Sequence, residues 1–251
     1  MLSRSLRFKI PLVRNVKPRQ FTTAIKPTQG MFKNSEPLTD EQMRAKMFAK
    51  RPHIDATNIV WVDCEMTGLT DKDVVLEVAC AITDAQLNIL TKEFNIVLGA
   101  TEEQLSRMTE IPLKMHTENG LLEAVKNSKI TYEEADEALR EYIKPFIWER
   151  TSPCAGNSVH VDRMFLARQF PLFNSFLSHR NIDVSSLKEL AQRWNPEIFQ
   201  KFPVEQMAGK HRALGDIRNS IKQLKFYKEH FIIPQPTNTF FVKPKPDKRR
   251  R

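Results

Sequence analysis

Short, nearly continuous apolar runs mark the chain between residues 59 and 98, and helical spacing takes over after residue 130. Residues 59–63 form one such run, residues 74–82 are apolar apart from Glu77, and residues 94–98 form a third. Each has the length of a strand, and their short connections predict an antiparallel meander. Thr131-Tyr132-Glu133-Glu134 reads as a capping box, followed at helical spacing by Ala135, Ala138, Leu139, Tyr142, Ile143 and Phe146. Pro145 is expected to kink or end that helix. Residues 154–159 return to a short strand or loop leading into a helix over about 161–170, and residues 181–184 read as another strand. Ser186-Leu187-Lys188-Glu189 is the expected cap of the next helix. The last helix carries Leu214, Ile217, Ile221 and Leu224 on one face and is predicted to end near Pro234. A meander followed by alternating strands and helices is an α/β, mixed-sheet pattern.

The 251 residues suffice for one sizeable core, and 41% apolar with 27% charged residues is an ordinary globular composition. No run approaches the roughly 20 apolar residues of a membrane span, so no membrane insertion is expected. The net charge of +9 is unevenly placed: residues 1–35 contribute +8, residues 243–251 contribute +5, and the body between them is left at −4. Basicity therefore belongs to the ends, which argues against a basic groove for long nucleic acid. Three cysteines without Cys-x-x-Cys spacing argue against a disulfide framework or a zinc knuckle and for a reducing compartment.

Residues 1–35 are rich in Arg, Ser and Thr and free of acids, with Arg4, Arg7, Lys9 and Arg14 interleaved among apolar residues. This is the signature of a mitochondrial targeting segment, favoured here over a basic arm that touches RNA. Residues 36–57 read as a polar linker with a short helix near 41–50, residues 58–232 as a single folded domain, and residues 233–251 as a basic disordered tail.

The candidate chemistry begins at Asp63-Cys64-Glu65, at the end of the first apolar run. Residues i and i+2 of a strand share a face, so two carboxylates repel there and each discourages ionisation of the other. A hard divalent cation would remove the conflict. Asp162 shares a helix face with Phe165 and Leu166, which turns it toward the protein body, although a carboxylate also suits the positive end of a helix. His211 and Asp216 could serve as a base and a metal ligand; spacing alone favours a solvated His and a polar-face Asp.

Four segments together resemble the oligoribonucleases, DEDDh exonucleases of ribonuclease-H-like fold. They are Trp61 through Leu69, Cys154 through Asp162, Asp183 through Leu190, and His211 through Asp216, in the family's order over residues 58–232. Among these enzymes the chain most resembles the fungal mitochondrial ones. The resemblance implies a single-domain, ribonuclease-H-like mixed five-stranded sheet flanked by helices. It also implies that Asp63, Glu65, Asp162 and Asp216 hold two Mg²⁺ or Mn²⁺ ions and that His211 is the general base. Such ions activate an attacking water and stabilise the leaving 3′-oxygen. The implied reaction is 3′→5′ hydrolysis of short oligoribonucleotides, dinucleotides included, to nucleoside 5′-monophosphates by a homodimer. Leu69 would wedge between bases, and Asn157, Ser158, His179, Arg180 and Ser185 would contact substrate, with Ser158, Arg180 and Ser185 at its 5′ phosphate. Two departures bear on base stacking: His179 stands where the family has Tyr, and an aromatic is missing between Ile111 and Leu121. Exonucleases of longer RNA or DNA ends, and a non-catalytic RNA-binding scaffold, are the competing readings.

Overall fold

A computed structural model describes residues 54–202 and 212–232, all within one compact unit. The segment at 1–35, the helix expected near 41–50, His211 and the basic tail at 233–251 lie outside the described residues. Strands β1 (Ile59–Met66), β2 (Val75–Thr83) and β3 (Phe94–Val97) form the predicted antiparallel meander. Strands β4 (Cys154–Gly156) and β5 (Asn181–Asp183) add in parallel on the other side of β1, giving the order β3-β2-β1-β4-β5. This is the mixed five-stranded sheet that the family resemblance implies.

Nine helices are described: α1 (Glu102–Leu105), α2 (Glu110–Glu118), α3 (Leu121–Asn127), α4 (Tyr132–Ile143), α5 (Val159–Gln169), α6 (Pro171–Phe176), α7 (Val184–Trp194), α8 (Pro196–Lys201) and α9 (Ala213–His230). Among them no helix is long and apolar enough to cross a membrane. The central strand β1 is covered on both faces, which is why it reads as an unbroken apolar run. Val60, Val62 and Cys64 pack with Leu139 and Ile143 of α4 and Phe165 and Leu166 of α5. Ile59 and Trp61 face the other way, with Ala79 and Ala81 of β2 and Ile217, Ile221 and Leu224 of α9. Trp61 is fully buried, and its Nε1–H donates to Thr83 Oγ1 at 2.9 Å, so its one polar atom is satisfied.

The structure alters the sequence expectations at three places. Strand β1 runs on to Met66, so Asp63 and Glu65 lie within a paired strand instead of at its end. The ladder persists because β2 matches it residue for residue, Asp63 against Ala79 and Glu65 against Glu77, with the irregularity only after Glu65. Ser186 does not cap α7. Asp183 does, its carboxylate accepting from the Ser185 N–H at 2.9 Å, and Ser186 falls inside the first turn. Residues 99–130 carried no predicted element, yet they form α1, α2 and α3, which are short and, in α2, bury only His116. The capping box at Thr131 is present as read, and α4 ends at Ile143, before Pro145.

Close approach fixes one residue of β4. A Cβ on Gly156 would sit 2.8 Å from the Val62 carbonyl oxygen of β1, against backbone that cannot step aside. Gly156→Ala should therefore destabilise the fold by about 1–3 kcal/mol, the range for overpacking, measured as a shift in the urea midpoint at unchanged slope.

Candidate functional site

The face of β1 that begins as Ile59 and Trp61 continues as Asp63 and Glu65, because alternate residues of a strand point the same way. Helix α9 covers this face with Ile217 and Ile221, and its first turn brings Asp216 down onto the two strand carboxylates. One oxygen from each of Asp63, Glu65 and Asp216 lies within 4.8 Å of the others. Asp162 reaches the same region from the first turn of α5. The β4 pairing with β1 stops at Trp61, and beyond it Asp162 Oδ1 accepts the Cys64 N–H at 2.9 Å. Asp162 stands outside the close group of three, and its charge still acts on Asp63.

Electrostatics register the crowding. Burial, then the charges of Asp162, Asp216 and Glu65, push the Asp63 carboxyl well above its ordinary range. Burial, then Asp216 and Glu77, push Glu65 up to about 8 against the pull of Arg212. Burial raises Asp162 to about 7 although the Cys64 N–H holds it down. The donors are all hard carboxylate oxygens, and a cation among them would relieve both the desolvation and the repulsion, so the residues fit a divalent metal.

A second cluster gathers at the start of α5. Ser158 has φ +50°, a left-handed conformation that costs a residue with a Cβ about 1–2 kcal/mol. Its N–H donates to Asp183 Oδ1 at 2.9 Å and to Ser185 Oγ at 3.0 Å, and Ser185 Oγ donates to Asn157 Oδ1 at 3.2 Å. The structure thus brings Asn157, Ser158 and Ser185 together through the same Asp183 that caps α7. His179 and Arg180 lie exposed on the connection leading into β5. His211 lies outside the described residues, immediately before Arg212.

Beyond Glu65 the chain turns over a cleft of about 590 Å³. Leu69 and Ile111 are 71% and 80% exposed and line it with Met66, Pro112 and Met115, so Leu69 is not a core residue. The turn is built on Asp73, which accepts from Thr67 Oγ1 at 2.8 Å and from the Thr70 N–H at 2.8 Å. Gly68 lets that carboxylate in: a Cβ there would sit 2.7 Å from Asp73 Oδ2.

Three residues of the site carry no assignment from the sequence. Glu77, buried on β2 across from Glu65, accepts from the Arg212 guanidinium, and these donors with Asn95 hold its carboxyl below its ordinary value although burial opposes them. Its signal was its position as the one charged residue in an apolar run. Arg212 gave no such signal. His116 is fully buried, with Nε2 3.0 Å from the Met66 carbonyl oxygen and Nδ1 3.9 Å from Glu65 Oε2, and burial keeps its pKa low. Nothing about its spacing in α2 distinguishes it from a surface His.

An exonuclease family, RNase T, matches residues 60–224. The oligoribonuclease of Rhodococcus jostii is 43% identical over 182 residues, 71% of this chain and 89% of that protein. The oligoribonuclease of Pseudomonas savastanoi pv. phaseolicola is 45% identical over 178 residues, 70% of this chain and 97% of that protein. Among solved structures, exonuclease I from Methylocaldum szegediense superposes with a TM-score of 0.52 at 18% identity. E. coli exonuclease I in complex with a dT13 oligonucleotide superposes with a TM-score of 0.53 at 14% identity. These two cover 69% and 68% of this chain, which spans only 40% and 41% of theirs, and they bear on the fold alone. With the family match over most of its folded part and more than two-fifths identity to nearly full-length relatives, the chain belongs to the oligoribonuclease family of exonucleases.

Proposed function

We propose that the chain is a divalent-metal-dependent 3′→5′ exoribonuclease that hydrolyses short oligoribonucleotides, dinucleotides included, to nucleoside 5′-monophosphates. The observation that carries this is the convergence of Asp63, Glu65 and Asp216, bordered by Asp162, with Glu65 also lining a cleft with exposed apolar walls. Asp63, Glu65, Asp162 and Asp216 would hold two Mg²⁺ or Mn²⁺ ions, which when bound supply charge stabilisation for a phosphodiester displacement. His211 has the residue type to take a proton near neutral pH and is one peptide bond from Arg212, at the head of the helix that carries Asp216.

The cleft is within the roughly 300–1,000 Å³ of small-ligand pockets, which suits a substrate of a few nucleotides better than a long strand. Leu69 and Ile111 offer aliphatic faces to bases where relatives use an aromatic on one side. Asn157, Ser158 and Ser185 present amide and hydroxyl groups, and Arg180 a guanidinium, suited to a terminal phosphate. His179 supplies a smaller stacking surface than the family's Tyr. A homodimer that closes this cleft, and mitochondrial targeting by residues 1–35, complete the reading.

Two measurements test the active centre and one tests the cleft. Asp63→Asn should lower dinucleotide turnover in Mg²⁺ or Mn²⁺ by more than about 100-fold, beyond the range of merely supporting residues, and survival of turnover removes the metal assignment. Glu65 and Asp162 have folded pKa values raised to about 8 and about 7. Their contribution to stability is therefore full below the ordinary carboxylate range and lost as pH rises through those values. The metal-free protein should show a falling thermal midpoint from about pH 5 to about pH 8, and added Mg²⁺ or Mn²⁺ should flatten that fall. Leu69→Ala should raise KM for a dinucleotide about tenfold while leaving the thermal midpoint alone, since Leu69 is exposed. Activity that climbs steadily along a length series of labelled oligomers would favour an enzyme of longer ends.

A further inference from the structure

Glu77 is a third carboxylate on the sheet face that bears Asp63 and Glu65. It stands across from Glu65 in the β1–β2 register and is 1% exposed. Both its oxygens are already engaged. Arg212 Nε donates to Oε2 at 2.8 Å and to Oε1 at 3.1 Å, and Arg212 Nη2 donates to Oε1 at 2.5 Å. Asn95 Nδ2 donates to Oε1 at 2.8 Å, and the Ala213 N–H reaches Oε2 at 3.3 Å. Arg212 is the N-cap residue of α9 and its own side chain caps nothing there. The free N–H of the first helical residue is met instead by a carboxylate from the sheet.

We infer that Glu77 and Arg212 are a positioning pair, a buried fork that fixes the start of α9 on β2 and so sets Asp216 against Asp63 and Glu65. The inference rests on the role proposed above for Asp216. Its geometry is specific. A planar guanidinium gripping one carboxylate by two nitrogens fixes direction as well as distance, which an ammonium does not. Arg212 adjoins His211 and precedes Asp216 by four residues, about one helical turn, so the fork pins the rotation of α9 at the level of the carboxylate it delivers. Glu77 touches no reacting group. Its charge is paired with the Arg212 guanidinium.

The test uses Arg212→Ala, Arg212→Lys and Glu77→Gln in the full chain. In steady-state hydrolysis of a dinucleotide, Arg212→Ala should lower kcat by about 30-fold or more with KM within about threefold, and Arg212→Lys should recover about tenfold of that loss. The double variant Arg212→Ala/Glu77→Gln should be no slower than the worse single one, because the two act as a unit. Amide hydrogen exchange over residues 213–217 should quicken about tenfold in Arg212→Ala while β1 and β2 stay protected. A kcat within about threefold of the parent, a loss confined to KM, or unchanged exchange over 213–217 would each overturn the inference. If Arg212→Ala does not fold, Glu77→Gln, which keeps the side-chain volume and an acceptor for Ala213, carries the same measurements. If the parent itself fails to hydrolyse dinucleotides in any divalent metal, the proposed activity falls, and the exchange result still decides for or against the fork.

Discussion

Strand β1 has to be two things at once, the central strand of the sheet, covered on both faces, and the carrier of two carboxylates. An interior strand is sheltered from water by helices on both faces, and that shelter raises the cost of every charge placed on it. Asp63 and Glu65 sit where the shelter ends, just past the Trp61 layer and under the first turn of α9. They keep the strand's hydrogen-bond ladder but lose part of their solvation, and Asp162 and Asp216 arrive from two helices to press on the same spot. The rest of the architecture can be understood as serving this tension. β4 stops short so that Asp162 can take the Cys64 N–H, and Arg212, paired with Glu77, pulls against the repulsion on Glu65.

What the sequence disclosed follows the range of the forces involved. The apolar runs marked β1, β2 and β3 because burial on both faces leaves no polar alternation to interpret. Thr131 and Glu134 exchange their hydrogen bonds within four residues, so the cap of α4 was legible locally. The sequence offers Ser186 as the cap of α7, and Asp183 takes that place instead. Asp183 is held by a partner 25 residues away, the Ser158 N–H, and that long-range contact settles which residue caps. Helices α1 to α3 bury too little for periodicity to announce them.

The site divides the same way. The conflict between Asp63 and Glu65 was visible from spacing alone, and the inward lean of Asp162 from its helix face. Their meeting with Asp216 depends on α9 crossing the sheet, which only the family resemblance supplied. The fork between Glu77 and Arg212 joins residues 135 positions apart and left a single trace, a charge inside an apolar run. Such a pair is silent in local pattern because each partner is explained only by the other.

The turn around Asp73 has a thermodynamic consequence for any small ligand. Leu69 is held out in water by backbone and side-chain bonds from Thr67 and Thr70, with the neighbouring Lys72 carbonyl tied to Arg107 at 3.2 Å. A surface apolar residue on a loose loop would have to surrender its conformational freedom at each encounter, at about 1–2 kcal/mol per ordered backbone residue. Here that ordering is completed during folding. In the role proposed for Leu69, a ligand two nucleotides long would make few contacts from which to recover such a loss, so a turn already ordered would leave more of each contact for affinity. In that role the hydrogen bonds of one turn would bear on how short a ligand the cleft retains.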